Sequence, residues 1–330
     1  MRHGSRQRAG AWLLGFLFTF FVGAGLGYAA EEDIAKYPSR PINFIIPLSP
    51  GDAADMAARF LAKEAEKYLG QPLVPINKAG GGATIGISAI ASAKPDGYTL
   101  GYPPHSGVFV GPQLSKLSYH PLQDLTPIMQ FGVVLFGVSV KANSPYKSFA
   151  DILAHARKNP KKVTYATIGP TSMQHFVMSQ IARKEKLEIV HIPFKGGSEV
   201  HAALLGGNVD FVVGTIVNSL VEAGEERVLL ILNEERSAAY QKIPSLKELG
   251  FEIPIPMMLS IVGPKGMPAP MVRKIEDAFT KATKEPAFIK GMQENLRYPI
   301  VHRNSKELGD YLAKNYEAYR RILTEMGLIK

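Results

Sequence analysis

The chain has 330 residues, 46% hydrophobic and 20% charged, which excludes a disordered polypeptide and suits about two globular domains. It has no cysteine, so disulfides, thiolate metal sites, iron–sulfur clusters, cysteine nucleophiles and a lipidated N-terminal cysteine are excluded. The formal charge of +9 comes without a basic run of five or more residues, so the sequence carries no nucleic-acid footprint, only a mild bias toward anionic ligands or surfaces.

Residues 1–10 are polar and basic, with no acid. Ala11 to Val22 then form an apolar stretch of 12, followed by Gly23, Ala24, Gly25, Gly27, Ala29 and Ala30. This is the order of a secretory signal. Gly27 and Ala29 at −3 and −1 place cleavage after Ala29, so residues 1–29 are expected to be removed and Ala30 to be the first mature residue. An uncleaved anchor is the alternative, but a span needs about 20 apolar residues. Loss of Arg2, Arg6 and Arg8 lowers the charge from +9 to +6. The expected location is the periplasm.

The remaining chain repeats one device: a short apolar strand, a turn of small residues, and a helix. Ile42 to Pro47 runs through Ser49-Pro50-Gly51 into a helix from Asp52 to Tyr68. Leu73 to Ile76 runs through Gly80-Gly81-Gly82 into Thr84 to Ser92. Val163 to Thr167 runs through Gly169-Pro170-Thr171-Ser172 into Met173 to Arg183, and Glu188 to Pro193 through Gly196-Gly197-Ser198 into Glu199 to Leu205. The first helix carries Met56, Phe60, Leu61, Ala65 and Tyr68 near the 3.6 period. Strand–loop–helix repetition predicts an α/β fold with largely parallel sheets.

Between and beyond these units, Phe131 to Val140 reads as one long apolar strand. Ser148 caps a helix to Lys158, with Asp151 in its first turn. Val209 to Val213 and Val228 to Leu232 read as strands, and Ser260 to Gly266 as a segment that crosses back. Pro270 to Lys284 and Lys306 to Glu325 read as helices, the second capped by Ser305. Crossings near residues 140 and 262 predict two lobes, the first discontinuous (41–139 plus 262–330) and the second formed by 140–261.

A helix N-terminus offers unpaired N–H groups and partial positive charge, and so binds carboxylate or phosphate without a basic side chain. In open α/β sheets ligands lie at the carboxyl ends of strands, where these four loops must be. One such loop is an ordinary turn; four, two in each half, point to an anion site between lobes. Catalytic signatures are absent: no G-x-x-x-x-G-K-[ST], no G-x-G-x-x-G, no H-E-x-x-H, and no metal-ligand spacing among eight histidines. Gly196-Gly197-Ser198-Glu199-Val200 lacks the last glycine of a nucleophile elbow.

Four stretches resemble the Bug (TctC-like) solute receptors of tripartite tricarboxylate transporters, over residues 37–330. Pro47-Leu48-Ser49-Pro50-Gly51-Asp52-Ala53-Ala54-Asp55 with Ala58-Arg59 is similar to P-x-x-P-G-G-x-x-D-x-x-A-R. Asn77-Lys78-Ala79-Gly80-Gly81-Gly82 with Ile85-Gly86, then Lys94-Pro95-Asp96-Gly97-Tyr98-Thr99-Leu100, resembles the glycine-rich turn and P-D-G-Y-T-L. Ile192-Pro193-Phe194-Lys195-Gly196-Gly197 and Leu205-Gly206-Gly207-Asn208-Val209-Asp210 resemble P-Y-K-G-G and L-G-G-x-V-D. Ile243-Pro244-Ser245-Leu246-Lys247-Glu248-Leu249-Gly250 and Gly263-Pro264-Lys265-Gly266-Met267-Pro268 fit P-T-x-x-E-x-G and A-P-x-G-x-P.

The resemblance implies a two-lobed type II periplasmic-binding-protein fold with an interlobe ligand cleft, no enzymatic activity, no cofactor and no metal. Its partners would be a small organic acid and membrane permease subunits, with a monomeric receptor and no nucleic acid. By position, first-lobe contacts would come from Leu48, Ser49, Gly51, Asp52, Ala53, Asp55, Gly81 and Gly82. Second-lobe contacts would come from Thr167, Gly169, Thr171, Ser172, His175, Phe194, Lys195, Gly196 and Thr215. Two positions depart from the pattern: Asp52 stands at the second glycine of the first loop, and Phe194 at the tyrosine. Asp52 either turns outward as a helix cap or faces the cleft, where it would call for a cationic or hydrogen-bond-donating ligand group. The alternatives to a transport receptor are a ligand-loaded sensor, and a secreted hydrolase using Ser198 or Ser172 with His175 or His191.

Overall fold

The computed structural model describes residues 34–330, apart from Thr171, Glu234, Glu235, Pro254, Pro256, Met257, Met326 and Lys330. The expected signal segment, residues 1–29, lies outside the described residues. Among those described, no helix is long and apolar enough to cross a membrane.

The first sheet begins with β1 (Ile42–Ile46), β2 (Leu73–Asn77) and β3 (Thr99–Gly101), all parallel, with β1 in the middle. Four of the five residues of β1 are buried, as a central strand covered on both faces requires. Helix α1 (Ala53–Leu69) follows β1 and buries Ala54, Ala57, Ala58, Leu61, Ala62, Ala65 and Leu69. Its C-terminus stops at Gly70 in the left-handed conformation (φ 72°), whose N–H returns to Glu66 O at 2.9 Å. Helix α2 (Thr84–Ala91) follows β2, and the short α3 (Gly111–Leu114) follows β3. Strand β4 (Leu125–Gly132) completes the edge of this sheet, whose order is β2-β1-β3-β10-β4.

The second sheet has the order β7-β6-β8-β5-β9. Its strands are β5 (Phe136–Lys141), β6 (Thr164–Thr167), β7 (Val190–Pro193), β8 (Phe211–Thr215) and β9 (Glu226–Ile231). Helices α4 (Phe149–Lys158), α5 (Met173–Lys184), α6 (Gly197–Leu205) and α7 (Asn218–Glu222) connect them. The expected cap of α4 is present as a reciprocal box: Asp151 N donates to Ser148 Oγ (3.2 Å), and Ser148 N to the Asp151 carboxylate (2.9 Å). Strand β10 (Leu259–Pro264) then returns to the first sheet, followed by α8 (Ala269–Ala282), α9 (Pro286–Lys290) and α10 (Ser305–Glu325). Helix α8 packs on α1 and β4, and α10 on β4.

One expectation is refined and two change. Each sheet is largely parallel but mixed: four strands run one way and one runs against its two neighbours, β10 against β3 and β4, or β5 against β8 and β9. The run 131–140 is not one strand: β4 stops at Gly132 and β5 starts at Phe136, in different sheets. Val134 and Leu135 between them are buried, so the apolar pattern continues through the crossing and conceals it. The cap of α10 is Asn304 rather than Ser305. Asn304 Oδ1 accepts from Glu307 N (2.9 Å) and its N–H donates to the Glu307 carboxylate (2.9 Å), while Ser305 Oγ donates to Pro127 O.

Behind the two sheets, α10 joins them through aromatic contacts. Tyr319 stacks on Phe109 (5.8 Å between centroids), lies against Phe176 of α5 (5.3 Å), and its hydroxyl meets Met173 Sδ. The side of β1 is fixed by another close approach: a Cβ at Gly86 in α2 would lie 2.6 Å from Pro47 Cβ and Cγ and 2.8 Å from Lys78 O. Gly86→Ala is therefore expected to destabilise the fold by about 1–3 kcal/mol, the usual cost of forced overpacking. Urea unfolding with an unchanged m-value checks it; a midpoint equal to wild type would show that α2 can move aside.

Candidate ligand-binding cleft

The loop after β1 is organised by one buried acid. Asp55, in the first turn of α1, is 1% exposed. Its carboxylate accepts from Gly51 N (2.9 Å), from Arg59 Nε at both oxygens (3.1 and 3.0 Å) and from Asn77 Nδ2 (2.8 Å). Asn77, the last residue of β2, also donates to Leu48 O (3.0 Å) and accepts from Arg59 (2.6 Å). Burial alone would raise the Asp55 pKa, but Arg59, Asn77 and the Gly51 N–H together hold it below the ordinary carboxylate value.

Asp52 is the N-cap of α1: its Oδ1 accepts from Ala54 N at 2.9 Å, and its own N–H donates to Ser49 O (3.3 Å). Ser49 and Gly51 are exposed, while Leu48 and Ala53 are partly buried. Desolvation, with repulsion from Asp55 added, raises the Asp52 pKa above its ordinary value. Its field also acts on the phenols of Tyr102 and Tyr298, both 2% exposed. The side chain thus caps the helix, within electrostatic reach of the buried tyrosines.

The glycine turn after β2 runs through Gly80, Gly81, Gly82 and Ala83 with φ of 124°, 58°, 63° and 77°, a succession that side chains resist and glycine permits. Ser106 Oγ ties it to the segment after β3 through Gly82 O (3.0 Å), and Thr84 Oγ1 donates to Gly81 O (2.8 Å). Close by in that segment, the His105 ring meets Phe136 of β5 edge-on (5.4 Å), and its burial pushes the imidazole pKa down to about 4.

At the second sheet, Thr167 ends β6 fully buried. Its Oγ1 meets His191 Nε2 (2.8 Å), and its carbonyl accepts from Phe194 N (2.9 Å). Ser172 caps α5, accepting from His175 N (3.2 Å) and donating to Gly169 O (2.7 Å). The His175 ring stacks on His191 (3.9 Å), with its nitrogens at Tyr165 Oη (2.8 Å) and Ser179 Oγ (3.3 Å). Burial lowers the pKa of His175, and burial together with its His175 neighbour lowers that of His191 to about 4. Lys195 is exposed, its N–H held by Glu199 (3.1 Å). Gly196 begins α6 with no side-chain cap. Thr215 ends β8, and its carbonyl accepts from His201 Nε2 (3.1 Å), a ring whose Nδ1 is paired with buried Glu226 (2.7 Å).

Tyr298 is buried, and its phenol feels Asp52 and Tyr102 from the first sheet's loops and Tyr240 from the segment after β9. Tyr240 donates to Asn218 Oδ1 of α7, directly beyond β8. Arg297, next to Tyr298 in sequence, pairs with Glu222 of α7. Two buried donors here, Tyr298 Oη and Asn218 Nδ2, have no hydrogen-bond partner in the described chain. A separate surface groove of about 310 Å³ lies between α5 and α10, lined by residues such as Gln180, Ile253, Arg321 and Glu325, and shares no residue with these loops. Among the described residues, no group of three or more His, Asp or Glu is placed to hold a metal ion.

A family model described as the tripartite tricarboxylate transporter family receptor matches residues 57–328. The chain belongs to this receptor family. The UPF0065 protein of the gbd 5' region of Cupriavidus necator is 35% identical over 93% of this chain and 94% of its own. A solved structure described as a periplasmic transporter is 30% identical, with a TM-score of 0.81 over 89% of this chain and 99% of its own. MatC of Rhodopseudomonas palustris, solved with malate, is 23% identical and shares the fold at a TM-score of 0.77 over 87% of this chain and 100% of its own. The members of this family are solute receptors of transporters, not enzymes.

The receptor's geometry sorts the residues expected from sequence. Asp52 caps α1. Thr167, Gly169, Ser172 and His175 form one bonded cluster, and Phe194 joins it through its N–H. Leu48, Gly51 and Asp55 belong to the network that shapes the first loop. Gly81 and Gly82 sit behind Ser106. Thr171 lies outside the described residues. Ser172 Oγ is engaged with Gly169, Thr167 and the His175 N–H rather than with either imidazole, so no serine–histidine dyad forms there. Tyr102, Asn218, Tyr240 and Tyr298 were not expected. They come from four separated segments, and no local motif marks them.

Asp55→Ala would leave Arg59 and Asn77 without their shared acceptor. It is expected to destabilise the receptor by about 3 kcal/mol. Because folding lowers the Asp55 pKa, the wild-type advantage is full at neutral pH and lost as pH falls through the depressed native value. Urea titrations of both proteins from pH 7 to pH 3 should therefore converge at the acid end; a gap independent of pH would refute the charge-based account.

Proposed function

We propose that this protein is a periplasmic receptor that captures a small organic carboxylate between its two sheets and presents it to the permease subunits of a tripartite transporter. The observation that carries the reading is a pair of buried donors, Tyr298 Oη and Asn218 Nδ2, that have no hydrogen-bond partner in the described chain. Backbone donors add to them. The N-termini of α1 and α5 carry side-chain caps, whereas α2 and α6 begin with none, leaving first-turn N–H groups for a ligand oxygen. The fold is one in which MatC holds malate, a carboxylate.

The reading extends to parts of the chain beyond the cleft. Residues 1–29 act as the signal, with cleavage after Ala29. The lobes are 41–139 plus 262–330 and 140–261, with their strand-level crossings at Val133–Leu135 and just before Leu259. The receptor acts as a monomer. The contacting residues are drawn from the loops at Leu48–Ala53, Gly81–Gly82, Thr167–His175, Phe194–Gly196 and Thr215, with Asp55 positioning the first of them.

A thermal-shift screen of the mature protein against mono-, di- and tricarboxylates tests the function. A ligand at 100 times its Kd adds about 2.7 kcal/mol to native stability and raises the melting temperature by several degrees. The bound compound should be recovered chemically unchanged. Failure of every carboxylate to shift the transition would overturn the reading. Sequencing of the exported protein should start at Ala30; a start at Met1 with membrane retention would refute the cleavage.

A further inference from the structure

Two turns that enter β6 and β7 lie side by side and concentrate positive charge. Residues 157–162 lead from α4 to β6, and residues 183–188 from α5 to β7. Lys161 N donates to Glu188 O (2.8 Å) and Arg157 pairs with Glu185 (2.7 Å), so the two segments are joined. The first exposes Arg157, Lys158, Lys161 and Lys162, the second Arg183, Lys184 and Lys186. Their only acids, Glu185 and Glu188, are both taken, by Arg157 and by Lys161 (3.2 Å). Arg183 and Lys184 meet neutral carbonyls, Glu325 O (3.0 Å) and Gly250 O (2.6 Å), which leave their charge uncompensated. The Asp210 carboxylate at the start of β6 is occupied by Thr164 N and Oγ1 (2.7 and 2.9 Å).

Basic residues in the last turn of a helix complement its dipole, which accounts for Arg157, Lys158, Arg183 and Lys184. It does not account for Lys161, Lys162 and Lys186, which lie beyond the helices. Lys161 and Lys186 also stand in left-handed backbone, with φ of 61° and 54°. Lys186 follows the C-cap of α5 in a turn closed by Leu187 N to Ala182 O (2.8 Å), a place where glycine is usual. Lys161 is the third residue of a turn closed by Lys162 N to Asn159 O (3.2 Å), where glycine is again favoured. The chain tolerates a strained residue in both turns, and both residues are lysine. No large hydrophobic side chain is exposed in either segment, so the patch lacks the apolar anchor on which affinity for a protein partner rests. Its unpaired groups beyond the helices are lysines, compact charges without the fork that matches one carboxylate or phosphate. Such a patch suits a surface of many spread negative charges. We propose that the turns at 157–162 and 183–188 adsorb this receptor to a bilayer of anionic phospholipid. They lie at the other ends of β6 and β7 from the candidate binding loops at 167–172 and 194–196, so adsorption and ligand capture use opposite edges of the second sheet.

Flotation of the mature protein with vesicles tests it, with phosphatidylcholine alone set against phosphatidylcholine mixed with phosphatidylglycerol. Wild type should float with the anionic vesicles only, and about 1 M salt should release it by screening. The combined variant Lys158→Gln, Lys161→Gln, Lys162→Gln and Lys186→Gln should partition about tenfold or more weakly, because each basic residue near an anionic surface strengthens binding severalfold. A control of the same net charge, Lys63→Gln, Lys290→Gln, Lys306→Gln and Lys314→Gln, alters exposed lysines of α1, α9 and α10 and should lose less than about threefold. Both variants should melt with wild type. Equal losses in the two variants would mean that net charge alone drives adsorption and would overturn the patch. Absence of flotation at low salt would overturn the lipid contact. Displacement of the protein from the vesicles by polyglutamate at equal charge concentration would assign an acidic protein partner instead and overturn it as well.

Discussion

A carboxylate at 1% exposure is tolerable only if its charge is met on every side, and Asp55 is met from three elements at once. Gly51 belongs to the loop after β1, Arg59 to the second turn of α1 and Asn77 to the end of β2. The carboxylate therefore fixes the loop against its helix and against the neighbouring strand. Asn77 doubles the restraint by holding Leu48 O with the same amide that meets Asp55. A loop tied down this way is held in place by the chain itself.

The same restraint decides what the first helix can offer. With Gly51 held, Asp52 falls at the N-cap, and its own carboxylate takes the Ala54 N–H that a ligand anion would otherwise find. The chain supplies an internal anion at α1 and keeps an uncapped N-terminus at α6. Each half pairs a capped helix with an uncapped one, α1 with α2 and α5 with α6, and the caps differ in charge: a carboxylate at α1 and a hydroxyl at α5.

How much of this was legible in the sequence depended on whether the cause was local. The four strand–turn–helix units were readable because the apolar period, the small-residue turns and the caps all lie within about 25 residues of one another. Ser148 and Asp151 show this at its simplest, three residues apart and bonded reciprocally. The break between β4 and β5 was hidden because the crossing residues are as apolar as the strands they join. Ser305 was mistaken for the cap because Asn304 beside it has equal chemistry, and only geometry separates them. Tyr102, Asn218, Tyr240 and Tyr298 carry no pattern at all. Their meaning arises when two sheets bring four segments together, and a tyrosine read alone is more simply a core residue. The motif around Asp55 and Arg59 was visible, but its role in shaping the loop rather than touching a ligand follows only from the bonds.

The connections between the two sheets differ in strength from front to back. At the rim, Arg297 and Glu222 form an ion pair with side chains 33% and 56% exposed, the kind of contact worth at most about 1 kcal/mol. At the rear, Tyr319 is fully buried between Phe109 and Phe176, with Met173 at its hydroxyl, so α10 is packed against both sheets at once. Aromatic burial of this kind costs several kcal/mol to undo. The ion pair is therefore the weaker of these two contacts and the aromatic seam the stronger, while the Asp55 network lies wholly beside the first sheet and the Thr167–Ser172–His191 cluster wholly beside the second.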